Sequence, residues 1–350
     1  MTLTRGCWRS ALGLLLLVGC SQSEPFSNPE VGSDGPASPA VPVRLTYNSG
    51  RDLTPAIDPQ GTTLLYAFTA AGLNGDQCLA SMRVSGGTRM EYCPTSAASR
   101  DSIERAEEPA WLDDAMLAYV RGVKLVGADR DHDLQLGTAA LADPTGFTPR
   151  LAFPMTVPGG AMEELPTHLV PVGDGRVAYM GEVTLSFSCG KDCVIRDSVG
   201  REVAIVELAG SGPPTIVPGT DYVTGLSTGP AVGDLVYTLV ADSAVYLRTS
   251  SGTVSVLHRF SEIAREVQYR SGRLAAVVGG DVTNLTSDTG EPLQIDKGGR
   301  LEVVDLASGT TQRPAPDGFL VRRLTLAPDA RSVVVQVGLE SADLYRVDVP

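Results

Sequence analysis

The sequence is poor in aromatic residues, in basic charge and in histidine, and each shortage excludes something. Aromatics make up only 5% of the 350 residues, and no apolar pattern at helical spacing lasts more than a few turns, so a helical bundle is excluded. Glycine (38) and proline (24) instead punctuate short runs of strand formers, the pattern of an all-β chain. Lysine and arginine number 28 against 41 acids, a net charge of −13 that is repelled by phosphate backbones and anionic headgroups. Nucleic acid is therefore excluded as a partner. The only histidines are His132, His168 and His258, too few for a histidine-rich metal centre.

The amino terminus reads as an address label. Arg5 and Arg9 supply positive charge, residues 11–18 form an apolar core too short to span a bilayer, and Leu17-Val18-Gly19-Cys20 closes the segment. That tetrapeptide resembles a bacterial lipobox, which implies cleavage before Cys20 and acylation of its thiol. Each buried methylene of such an anchor contributes about 0.8 kcal/mol, enough with two or three chains to hold a soluble domain at a membrane face. Ser21, rather than an aspartate, follows the cysteine; by resemblance to bacterial sorting rules this favours the outer membrane. Residues 21–42, with prolines at 25, 29, 36, 39 and 42, have almost nothing to bury and form a tether. The folded domain is expected over 43–350. Removal of Arg5 and Arg9 leaves 26 bases against 41 acids.

With Cys7 lost to processing and Cys20 acylated, four cysteines remain, in two local pairs suited to an oxidising compartment. Cys78 and Cys93 flank a hairpin. A two-residue turn at Ser85-Gly86 sets them directly opposite each other, whereas a turn at Gly86-Gly87 sets them two residues out of register. Cys189-Gly-Lys-Asp-Cys193 reads as a staple across a tight loop. Neither pair has Cys-x-x-Cys spacing, so structural disulfides are preferred over a redox or metal site.

The chain repeats itself. Pro55-Ala56-Ile57-Asp58-Pro59-Gln60-Gly61 followed by an apolar run returns as Pro109-Ala110-Trp111-Leu112-Asp113-Asp114, and again around Ala327-Pro328-Asp329. A strand-turn-strand unit recurring about every fifty residues predicts a β-propeller. Six four-stranded blades fit, with seven as the alternative. The first has strands at 54–58, 63–69, 78–84 and 88–93; the last, at 321–326, 333–337 and 344–349, is one strand short. Val43-Arg44-Leu45-Thr46-Tyr47, which has no blade of its own, is expected to fill that vacancy, closing the ring and covering an exposed edge.

These turns resemble those of the TolB-like propellers, whose blades carry Pro-Ala-Trp-Ser-Pro-Asp-Gly before an apolar strand. Pro55, Ala56, Pro59 and Gly61 match in the first blade, Pro109, Ala110, Trp111 and Asp114 in the second, and Pro328 and Asp329 in the sixth. The resemblance implies the propeller fold, also described as WD40-like, and a bias toward protein binding.

The connections between second and third strands are the longest, and they share a face with the blade-to-blade loops, so binding is expected there. They carry Asp129, Asp131 and Asp133 in the second blade, Lys191 and Asp192 within 182–201 in the third, and Asp281 and Asp288 within 280–299 in the fifth. Asp129, Asp131 and Asp133 alternate as calcium ligands do, but the string lacks the later glycine and distal glutamate of an EF-hand. It fits a solvated acidic hairpin better, with calcium as the alternative and no cofactor expected. Gly225-Leu-Ser-Thr-Gly229 matches the hydrolase Gly-x-Ser-x-Gly string, but Pro230 follows where the chemistry needs a helix, so it reads as a turn. Trp111 and Tyr66 read as blade packing.

The function expected is that of a monomeric, lipid-anchored envelope protein presenting one propeller face to a protein or peptide. A carbohydrate-binding, hydrolytic or lyase site would instead require acids and His168 to converge at the mouth of the central channel. Replacing Cys20 by serine is expected to remove the acyl mass from the mature protein and release it from the membrane fraction. A Cys20→Ser protein that still sediments with membranes would refute the anchor.

Overall fold

The computed structural model describes residues 41–350 except 48–49, 70–75, 94–101, 126–131, 154, 158–159, 163–165, 191–192, 211, 241, 281, 287–291, 297 and 339–341. Every regular element among the described residues is a strand.

The middle strands explain the fold class. Leu64, Leu65, Tyr66, Ala67 and Phe68 are all fully buried, as are Val333, Val334 and Val335. A strand covered on both faces reads as an unbroken apolar run rather than an alternation. Such strands need sheets stacked on both sides, which is what a ring of blades provides.

Six antiparallel blades are present among the described residues; five are four-stranded sheets, and the third adds two short strands to its four to make a six-stranded sheet. Their inner strands are Arg51–Ile57, Ser102–Trp111, Thr167–Gly173, Val223–Thr228, Ala264–Arg270 and Val321–Leu326. Each inner strand touches the next, and the sixth touches the first, so they enclose a central channel. The apolar core is correspondingly divided into six clusters, one between each pair of neighbouring blades. In one of them Leu64, Tyr66 and Phe68 of the first blade meet Val334 and Leu344 of the sixth.

The ring closes as the short sixth blade predicts. Val43–Arg44 pairs antiparallel with Asp343–Asp348 as the fourth strand. The Leu45 amide donates to the Leu344 carbonyl at 2.8 Å, and the Leu344 amide donates to Thr46 Oγ1 at 2.9 Å. Arg44 Nη2 donates to Asp343 Oδ2 at 2.6 Å.

The cysteine geometry follows the first of the two registers. Leu79 lies opposite Tyr92 and Ser81 opposite Met90, so positions 78 and 93 face each other and are joined as a disulfide. The Cys189 and Cys193 side chains lie outside the described residues; the backbone pairs Gly190 with Cys193.

Two expectations are corrected. The long connections in the third and fifth blades are largely strand. Arg176–Gly190 and Cys193–Glu207 run as one hairpin with fifteen residues in each arm, far beyond the seven-residue inner strand of the same blade. A small hairpin, Met155–Val157 with Gly160–Met162, pairs along its side. In the fifth blade, Val282–Thr286 pairs with Pro292–Asp296 as a separate hairpin. Backbone pairing satisfies the polar groups that an irregular connection would leave to water. The Gly225–Gly229 string is also not a turn. Gly225 to Thr228 lie on an inner strand, where a Cβ at Gly225 would come within 3 Å of the backbone of Glu266 and Val267, and the turn begins only at Gly229.

Burial pushes the Asp343 carboxyl above its ordinary range, and Arg44 offsets part of that shift. A carboxyl whose folded pKa is raised costs stability once it is ionised, and that cost vanishes below its ordinary range. Arg44→Met is therefore expected to destabilise the domain at neutral pH by about 1–3 kcal/mol, with the deficit shrinking in acid as Asp343 protonates. Urea unfolding at both pH values checks this; an equal deficit at both would exclude the ion pair as its source.

Candidate functional site: a braced central channel

Each inner strand is interrupted by a register shift at the channel, between Leu53 and Ala56, Glu107 and Ala110, Thr167 and Val170, Val223 and Gly225, Ala264 and Glu266, and Val321 and Arg323. Such bulges re-aim side chains. In the first three blades the bulge holds Thr54, Glu108 and His168 at φ of 49°, 52° and 54°. A left-handed backbone at non-glycine residues costs on the order of 1–2 kcal/mol each, and strain of this kind concentrates at sites of function.

The bulges bring four charged or titratable side chains from four blades onto the axis. His168 Nε2 lies 2.6 Å from Glu266 Oε2. Arg323 Nη2 donates to Glu108 Oε1 at 3.1 Å, and its Nη1 lies 3.8 Å from Glu266 Oε1. Nη1 also approaches His168 Nδ1 at 2.7 Å and contacts Nε2. The second Glu108 oxygen accepts the His168 backbone amide at 2.8 Å. Arg323 has only hydrogens to give and an ionised Glu266 only accepts, so the His168 ring is held between a donor and an acceptor. Three of the four side chains are nearly sealed from solvent, at 6% for His168, 7% for Glu266 and 8% for Glu108. Burial disfavours the Arg323 charge, yet Glu108 and Glu266 more than compensate and hold its guanidinium above the ordinary range.

This cluster divides the channel. Thr54, Glu108, His168, Glu266 and Arg323 line both a vestibule of about 910 Å³ and a smaller chamber of about 330 Å³. The vestibule opens where strands enter from the preceding blade and where the long hairpins rise. Five arginines line it, Arg51, Arg201, Arg265, Arg322 and Arg323, against the acids Glu107, Glu108 and Glu266. Val240 and Ile263, both exposed, add an apolar arc. The smaller chamber lies toward the Pro-Ala turns and includes Pro55, Asp58, Pro109 and Trp111. Trp111 and Tyr66 are buried in blade packing, with the indole donating to the Ala56 carbonyl at 3.0 Å.

Of the expected binding residues, Asp133 is exposed at φ 53° near the start of its strand. Asp129, Asp131, Lys191, Asp192, Asp281 and Asp288 lie outside the described residues, as does Cys20. No grouping of three or more His, Cys, Asp or Glu suited to a metal occurs among the described residues. The acids and His168 do converge in the channel. Glu108, Glu266 and Arg323 went unnoticed in the sequence, although a signal was present: Glu108 immediately precedes a Pro-Ala turn motif, as Thr54 does.

The blade count, the closed ring and the axial channel define a six-bladed β-propeller. Neither a family model nor a curated protein matches the sequence. Solved structures with similar folds include regucalcin, a calcium-binding protein from Agrobacterium tumefaciens strain C58, at 10% identity and a TM-score of 0.54 over 88% of this chain and 94% of that one. A gluconolactonase from Xanthomonas campestris matches at 14% identity and a TM-score of 0.52, over 90% and 99% of the two chains. TolB from Acinetobacter baumannii matches at 13% identity and a TM-score of 0.51, over 86% of this chain and 64% of its own. At these identities the likeness is one of fold, which propellers share across binding proteins and enzymes.

Removing one partner of a buried ion pair strands the others. Arg323→Met is expected to lower stability by about 3–5 kcal/mol, and Arg323→Lys by less. Urea unfolding measures both, and a loss under about 1 kcal/mol for the methionine variant would show the brace to be dispensable.

Proposed function

We propose that this protein is an envelope lipoprotein, anchored through Cys20 and favouring the outer membrane, whose TolB-like propeller binds a protein or peptide at its vestibule face. The observation that carries the reading is the vestibule itself, a wide chamber lined by five arginines in a chain of net charge −13, beside a hairpin that outruns its blade. Guanidinium groups clustered against the overall sign of the chain favour an acidic segment of a partner, held by charge-assisted hydrogen bonds. The tether supplies reach from the membrane.

A second reading, turnover of a small substrate at the channel, draws on the His168–Glu266 pair. Proton transfer needs a nitrogen free to meet the substrate. In this channel Nε2 is engaged by Glu266 and Nδ1 by Arg323, with Thr167 Oγ1 a further 3.3 Å neighbour, so binding is the better supported function.

Photoreactive residues placed at Ser186 and Arg196 on the hairpin, with Arg331 on the opposite turns as control, test the proposal in living cells. The expected outcome is one discrete protein captured from the hairpin, absent from the control, and lost when Arg51 and Arg322 are both changed to glutamate. Equal capture at the control, or capture indifferent to the arginines, would overturn it.

A further inference from the structure

The vestibule reading leaves the smaller chamber unexplained. Among the described residues, one cation in it has no anionic partner. Asp58 is satisfied by the Thr62 amide and hydroxyl at 2.6 and 2.8 Å and the Thr63 amide at 3.0 Å, and Glu108 and Glu266 are engaged by Arg323 and His168. Arg270, at the end of the fifth inner strand, meets only neutral acceptors. Its Nη1 donates to Thr228 Oγ1 and, at 3.1 Å, to the Tyr269 carbonyl. Burial pulls its pKa down with no carboxylate to pull it back.

Those bonds use one nitrogen and leave the Nε and Nη2 edge unused. That edge is the planar fork that grips a carboxylate with two parallel hydrogen bonds. The Gln268 amide and Thr325 hydroxyl line the same chamber, and among the described residues neither side chain makes a hydrogen bond. Pro109, Leu169 and Leu226 contribute apolar walls. The free edge of the half-buried Arg270, the half-buried Gln268 amide and the buried Thr325 hydroxyl thus share a single cavity, where a ligand can supply the hydrogen-bond partners that the described residues do not. A volume of about 330 Å³ lies at the small end of the ligand-pocket range of about 300–1,000 Å³.

We propose that this chamber is a second binding site, distinct from the vestibule, for a small organic carboxylate with an apolar body, whose carboxylate sits on the Arg270 fork while Gln268 and Thr325 meet its remaining polar atoms. A macromolecule does not fit it. The apolar walls select against inorganic anions, which have nothing to place there.

Titration of the tethered domain, residues 21–350 expressed without the lipid, with 4-fluorophenylacetate followed by fluorine NMR tests the site. The expected result is saturable binding that weakens about tenfold or more in Arg270→Met, and less in Arg270→Lys, which keeps charge but not the fork. The amide 4-fluorophenylacetamide, of the same shape without the charge, is expected to bind about tenfold or more weaker to the unaltered protein. Should Arg270→Met fail to fold, the acid–amide comparison still decides. Equal binding of acid and amide, indifference to Arg270, or no saturation would each overturn the proposal. Arg51→Glu with Arg322→Glu is expected to leave this binding unchanged, which separates its fate from that of the vestibule.

Discussion

A ring of sheets has two ends, and the pairing of Val43–Arg44 with Asp343–Asp348 joins them. Each blade is covered only because it has a neighbour on both sides. Without the closing strand, the sixth blade would expose the edge of Asp343–Asp348, and the cluster that joins Val334 and Leu344 to Leu64 and Phe68 would lose its hold. The joint is built redundantly from backbone pairing, the Thr46 hydroxyl and the Arg44–Asp343 ion pair. It is made by residues about three hundred positions apart, so the last contact to form in sequence distance is the one on which the rest depends.

A closed ring of inner strands creates an axis, and the axis creates an electrostatic problem. Bulges turn Glu108, His168, Glu266 and Arg323 inward from four blades. Charges so placed must satisfy one another, since water reaches them poorly. Such a brace adds little net stability over an apolar plug of the same volume, but it accepts only one relative placement of the blades. It also sets the division of labour along the channel. On one side lies an arginine-lined vestibule beside tall hairpins; on the other lies a small chamber with a guanidinium that meets no carboxylate among the described residues. The two mouths differ in size, charge and wall chemistry, and therefore in what they are suited to bind.

Much of the architecture was legible because it rests on local chemistry. Pro-Ala turns, Gly-containing hairpins and apolar runs fall where chain direction must change or where a strand is covered on both faces. These features marked the blades, and the short sixth blade exposed the need for Val43 and Arg44. The Cys78–Cys93 register followed from hairpin arithmetic. Local pattern failed where two structures share one composition. Polar, glycine-containing connections read as loops, yet Arg176–Gly190 and Cys193–Glu207 pair into a hairpin because each arm satisfies the other's backbone. The Gly225-Leu-Ser-Thr-Gly229 string looked like a turn because glycine marks turns; at Gly225 it marks the close approach of the neighbouring inner strand.

The sequence by itself determined the all-β class, the blade repeat and the closing strand, since each is written within a few residues of itself. Only the tertiary structure decided the two chambers. Glu108 and Arg323 are 215 positions apart, and His168 and Glu266 are 98 apart. Arg270 is conspicuous only once its lack of a carboxylate is known. Whether a charge is paired depends on what the fold brings within a few ångströms, and no period or motif along the chain records that distance.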